Sequence, residues 1–156
     1  MRLLLENKLL KYAFVLAILI SAGCSEANST AQFRSLRSMV IAGKFNEAIP
    51  KLEKFAAENP KSVDASRAGL FLFKANFGNG DLAEARKWCD WTIKNYPSSL
   101  EAQKCKYKLA VVTMAEGDIE QATEQFAALA SNPSGPYTAE ATAMKRFLDQ
   151  HSVTPR

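Results

Sequence analysis

Between Asp64 and Pro97 the apolar positions recur at helical spacing and do not alternate. Ala68, Leu72, Ala75 and Asn76 share one stripe at i, i+4, i+7 and i+8, with Phe73 and Phe77 beside it, so SRAGLFLFKANF predicts a helix with a broad apolar face. The run Gly78-Asn79-Gly80 predicts its end, because glycine reaches the left-handed conformation that closes helices. Asp81 is placed to cap a second helix, with Glu84 three residues on to complete an acidic capping box. The stripe of that helix is Leu82, Ala85, Cys89, Thr92 and Ile93, and Pro97 with Ser98 ends it. The unit reads as a helical hairpin.

The same punctuation occurs three times. GKFNEA (Gly43 to Ala48), GDLAEA (Gly80 to Ala85) and GDIEQA (Gly117 to Ala122) place their glycines 37 residues apart, and Pro60, Pro97 and Pro133 follow at offsets of 17, 17 and 16. A fixed period in this range marks a solenoid, in which one supersecondary unit cannot bury its apolar face without neighbours. Glycine supplies the turn, Asp81 or Asp118 the cap, and Ala48, Ala85 and Ala122 the small side chain that lets the two helices of a hairpin cross closely. Lys44 makes the first cap the weakest. After Pro136 a last helix carries Tyr137, Ala141, Met144 and Leu148 on one stripe, and a lone amphipathic helix is what the exposed end of a solenoid requires. The predicted fold is an all-α solenoid of three helix hairpins with a C-terminal capping helix.

The pattern resembles the tetratricopeptide repeat. The family's turn glycine matches Gly43, Gly80 and Gly117, its alanine matches Ala48, Ala85 and Ala122, and its terminal proline matches Pro60, Pro97 and Pro133. The small-residue position of the first helix matches Ala110, while Phe73 and Leu36 stand there in the other units. The unit is 37 residues, against about 34 in the usual repeat. The joint NYPSS followed by EA and LA, within Asn95 to Ala110, is similar to joints of periplasmic tetratricopeptide lipoproteins and coordinators, the outer-membrane assembly lipoprotein and the Tol-Pal-associated coordinator among them. The resemblance covers residues 32 to 133. It implies a right-handed solenoid that binds partner proteins through a concave surface lined by the first helix of each hairpin.

The first residues change the picture of where such a protein works. Arg2, Lys8 and Lys11 precede an apolar run, YAFVLAILI from Tyr12 to Ile20, too short to cross a bilayer as a helix of about 20 residues. Ser21-Ala22-Gly23-Cys24 follows and resembles a bacterial lipoprotein cleavage box, with Cys24 as the lipidated residue. The expected organisation is a signal peptide over 1–23, a lipidated Cys24 and polar tether over 24–31, the repeat domain over 32–151 and a tail over 152–156. Ser25 lacks the aspartate that resembles an inner-membrane retention signal, which favours the periplasm-facing leaflet of the outer membrane. Cleavage after Ala27 is the alternative and would leave a soluble periplasmic protein. Loss of 1–23 lowers the formal charge from +4 to +2, and with no recognisable reader motif this argues against nucleic acid as a partner.

Candidate chemistry is sparse. His151 lies in a tail expected to fray, no phosphate loop or nucleophile elbow is present, and no Cys or His spacing suits a metal, so no cofactor and no enzymatic activity are expected. By register the concave surface would present Phe33, Arg37, Ile41, Arg67, Leu70, Lys74, Phe77, Lys104, Tyr107 and Val111, a set of cations and aromatics suited to an extended or helical acidic peptide. Trp88 and Trp91 fall between core positions and form a second candidate contact on the convex side, with packing on a neighbouring helix as the alternative. Cys89 and Cys105 stand eight residues either side of Pro97 and face each other across a joint. Two buried free thiols are expected there, with a disulfide as the other outcome. The function expected is a non-catalytic scaffold that binds envelope proteins. A chaperone or pilotin for a secreted or pilus subunit, or a self-associating structural lipoprotein, are the alternatives.

Overall fold

The computed structural model describes residues 28–151. Seven helices follow one another among the described residues: α1 (28–41), α2 (Phe45–Glu58), α3 (Ala65–Gly78), α4 (Leu82–Asn95), α5 (Leu100–Ala115), α6 (Ile119–Ala130) and α7 (Thr138–His151). From α2 onward each helix packs on the next, and α3 also packs on α5, so the first helices of successive hairpins lie side by side. The architecture is an all-helical solenoid, with α1/α2, α3/α4 and α5/α6 as its hairpins and α7 against α6. Residues 1–23, expected as a signal peptide, Cys24 and the expected tail 152–156 lie outside the described residues.

The three turns are built alike. Gly43, Gly80 and Gly117 have φ of 74°, 82° and 89°, the left-handed region where a side chain would be strained. In each, the amide after the glycine donates back to the preceding helix, Lys44 to Met39 O, Asp81 to Asn76 O and Asp118 to Thr113 O, at 2.9, 2.9 and 3.2 Å. This reaches a carbonyl that would otherwise be left open at the helix end. Asp81 Oδ1 then accepts from the Glu84 amide and Asp118 Oδ1 from the Gln121 amide, both at 3.0 Å, whereas Lys44 makes no side-chain cap. The capping box closes on one side only, because the Glu84 carboxylate turns to Lys87 at 2.9 Å. Gly78 also departs from the expected reading. It remains helical, and a Cβ there would sit 2.5 Å from the Phe45 ring, so its role is close packing of the first two hairpins.

The core runs the length of the stack. Ala48, Ala85 and Ala122 are completely buried, as the crossing role requires. A second close approach, unread in the sequence, lies at Gly69, where a Cβ would meet Thr92 Oγ1 at 2.1 Å. Phe33, Leu36, Val40, Leu52, Phe55 and Leu72 form the first cluster, Leu70, Phe73, Cys89, Cys105 and Val112 belong to the second, and Phe126, Ala141 and Leu148 to the third. Two boundaries move. Residues 28–31, expected as tether, are helical, and Ser29 is buried with its Oγ 3.4 Å from Ser62 Oγ. His151, expected in a frayed tail, ends α7 with its ring stacked on Phe147 at 4.3 Å.

Candidate functional site

The parallel first helices bring most of the anticipated groove residues together. A cavity of about 550 Å³ is lined by Arg34 and Arg37 from α1, Arg67, Leu70, Phe71 and Lys74 from α3, and Leu100 and Lys104 from α5. Leu70 and Phe33, each 5% exposed, form its floor, while Leu100 at 51% sits on its rim. Helical register explains the convergence, since Arg67, Leu70 and Lys74 are three and four residues apart on one face of α3.

The two ends of this groove differ in charge. At the amino end of α3, Arg67 Nη1 donates to Asp64 Oδ1 at 2.7 Å, and Asp64 itself is 1% exposed. Glu101 accepts from Ser66 Oγ at 3.3 Å. Two turns along α3, the ion pairs among the described residues engage neither Lys74 nor Arg37. The Lys74 ammonium lies 4.5 Å from the centroid of the Phe71 ring and the Arg37 guanidinium 6.0 Å from the same ring, within the range where a cation is drawn to an aromatic face. Burial holds the Lys74 pKa below its usual range, and the charges of Lys108, Lys104 and Arg37 add to the effect.

Other anticipated groove residues lie elsewhere. Phe77 stacks on Phe73 at 5.5 Å and, seven residues beyond Leu70, sits about 10 Å further along the axis, near the Gly80 turn and outside the cavity. Tyr107 turns toward the carboxyl end, stacking on Tyr137 at 5.1 Å and meeting Phe126 edge-on at 5.6 Å. Val111 joins it in the third cluster, and Ile41 is 69% exposed outside the cavity. Phe33 is core as much as groove, packed 5.7 Å from both Phe55 and Phe71. Phe71, which lines the cavity, was missed in the sequence, as was Lys108, which lies outside the lining and acts on Lys74 through its charge. Phe71 adjoins fully buried Leu72 and so hides beside a core stripe, whereas Lys108, four residues from Lys104, had a visible register signal.

Trp88 and Trp91 are half-buried, in keeping with partial exposure, but the alternative contact holds as well. They meet each other edge-on at 5.3 Å and pack against the first core cluster, with Trp91 also 5.3 Å from Tyr96. The Trp88 Nε1 is buried without a hydrogen-bond partner. Cys89 and Cys105 are free thiols, completely buried and adjacent across α4 and α5. Their mutual hydrogen bond and burial push the Cys89 thiol above its ordinary range, while the same hydrogen bond holds that of Cys105 below it. A second cavity of about 660 Å³, unanticipated, lies among Arg86, Pro97, Lys106, Leu109, Gln125 and Tyr137. Its Arg86 is already engaged by Glu116 and by Thr113 Oγ1.

Hairpins stacked in register, with their first helices forming a concave cationic and apolar face, define a helical-repeat protein whose fold serves protein–protein contact. Residues 21–145 match the tetratricopeptide repeat-like domain, and the chain belongs to that family. No curated protein matches it. Among the described residues no helix is long and apolar enough to cross a membrane, and no cluster of His, Cys, Asp and Glu could hold a metal ion.

Proposed function

We propose that this protein is a non-catalytic scaffold of the bacterial cell envelope that binds partner proteins in the groove of α1, α3 and α5. The observation that carries this reading is the convergence of Arg37, Leu70, Lys74 and Lys104 from three helices on one cavity. Apolar floor and cationic wall together suit a polypeptide, whose side chains anchor while its charges fix the register. The leader and the box ending in Cys24 support attachment by acyl chains to the periplasmic face of the outer membrane. Residence there gives the scaffold the task of positioning partners during outer-membrane assembly or envelope coordination.

The groove is tested by capture from crosslinked envelopes, comparing wild type with a Leu100→Trp, Lys104→Glu variant shown by circular dichroism to be folded. Leu100 is exposed at the rim, so the larger ring obstructs the groove without entering the core. The expected result is a partner retained by wild type and lost by the variant, and unchanged capture would overturn the groove. The anchor is tested separately. Globomycin should block processing and Cys24→Ala should release the protein from membranes, while a wild type found in the soluble fraction would sink the lipid attachment.

A further inference from the structure

The groove carries more positive charge than its own residues balance. Arg37 on α1, Lys74 on α3 and Lys104 and Lys108 on α5 occupy three neighbouring helices, and among the described residues the ion pairs engage none of the four. They act on one another instead, since Lys108, Lys104 and Arg37 all disfavour the charged form of Lys74. Within the groove the Phe71 face lies under Arg37 and Lys74, and one turn beyond Lys104, outside the cavity lining, the Lys108 ammonium lies 5.6 Å from the Tyr107 centroid. Arg67 is the contrast, its charge already met by Asp64. Asp64 and Glu101 also line the cavity, but Asp64 is engaged by Arg67 and Glu101 accepts from Ser66 Oγ, so the excess of like charge further along the groove is relieved when an anion binds.

Resting on the groove reading above, we propose that the partner is an acidic segment in an extended, polyproline II-like conformation, with carboxylates at every third residue meeting the cations of successive first helices. Packed helix axes lie about 8–10 Å apart. In polyproline II, three residues per turn at 3.1 Å each return a side chain to the same face after about 9 Å. A β-strand returns it after two residues, about 6.6 Å, and falls out of step with the helices. One carboxylate then sits at Arg37 and Lys74 over Phe71, the next at Lys104 and Lys108, and an apolar side chain lies on Leu70 and Phe33. A flat anionic membrane does not reach a floor whose residues are 5% exposed.

The test is fluorescence anisotropy of the purified protein with a fluorescein-labelled peptide carrying glutamate at every third position, with proline, alanine and one leucine between. Companion peptides of the same composition place glutamate at every second position or replace it by glutamine. The every-third peptide should bind tightest and the glutamine peptide should not bind. Lys74→Met and Lys104→Met, which keep the apolar stems, should each weaken binding about tenfold, the loss of one charge-assisted contact. Lys145→Met, on α7 and paired with Asp149, should leave it unchanged. The proposal is overturned if the glutamine peptide binds as well, if both spacings bind alike, if the Lys74 and Lys104 variants bind as wild type, or if phosphatidylglycerol vesicles bind and the peptide does not. Envelope capture separates this failure from that of the groove. A partner lost with Leu100→Trp, Lys104→Glu but kept with Lys74→Met, Lys104→Met leaves the groove standing and removes the acidic partner.

Discussion

The two ends of the solenoid are packed with different materials. Around α1 to α3 the enclosed residues are large, with Phe33, Leu36, Leu52, Phe55 and Leu72 at 5% exposure or less and the two tryptophans of α4 laid against them. Around α5 to α7 the enclosed set shrinks to Phe126, Leu148 and three alanines, and Tyr107, Met114, Ile119 and Met144 remain half-buried. The cause lies in position. The amino-terminal cluster is covered by α4, whereas α7 packs on α6 at the end of the stack. Since a solenoid's stability is a sum over units and interfaces, the carboxyl end should open first.

Breaking the amino-terminal cluster should have the largest effect. Phe55 is fully buried between Phe33 and its neighbours, so Phe55→Ala should cost about 3–5 kcal/mol, the range for a truncated core aromatic. Urea denaturation should show one transition displaced to lower midpoint, and an unchanged midpoint would mean that α1 and α2 contribute little to the fold. Phe126→Ala removes an equally buried ring at the other end, but half-buried Leu129 and Met144 can close over the gap, so the cost should fall near 3 kcal/mol. Hydrogen exchange is the sharper reading. Amides of α6 and α7 should lose protection while those of α2 to α4 keep it, and simultaneous loss everywhere would show that the ends do not open independently.

How much of this was legible depended on what each feature demands of a residue. The turns were readable at Gly43, Gly80 and Gly117 because a positive φ leaves few other choices, and the buried stripes because 3.6-residue spacing fixes them. Arg37, Leu70, Lys74 and Lys104 were assigned to the groove by the same spacing. Register puts Phe77 on the same face as Leu70 and two turns further along, but it does not show where along α3 the cavity ends, which is why Phe77 was grouped with them. Tyr107 shows the complementary failure, since Phe126 and Tyr137, which claim its ring, come from α6 and the joint before α7. Ser29 lies in a helix although its surroundings read as polar tether, and its Oγ rests 3.4 Å from that of Ser62, a contact 33 residues away that local spacing does not reveal.

Between the two ends, the middle hairpin is held tightly enough to register one methyl group. Gly69→Ala would place a Cβ 2.1 Å from Thr92 Oγ1 and 3.0 Å from the Trp91 ring. Thr92 is fully buried and its hydroxyl donates to Trp88 O at 2.8 Å, so it cannot turn aside freely. The substitution should destabilise by about 1–3 kcal/mol, as overpacking does. Adding Thr92→Ala should return part of that loss, because the second change removes the clashing oxygen. Strictly additive losses in the double variant would contradict the contact.

The smallest effect concerns the one place where the amino-terminal end is the poorer. Lys44 has φ and ψ of −81° and 55°, close to the −84° and 83° of Asp81 and the −82° and 77° of Asp118, so its backbone already has the form of a cap. What it lacks is an acceptor, and it places a positive charge at the N-terminal, positive end of the α2 dipole. Lys44→Asp should therefore gain about 0.5–1 kcal/mol and raise the thermal midpoint, while Asp81→Ala should lose about 1 kcal/mol by leaving the Glu84 amide without its acceptor. If Lys44→Asp gives no gain, backbone geometry alone does not make the first turn ready for a cap. The charge beside Glu47 would then be the term to change next, since a second carboxylate in that turn repels the first.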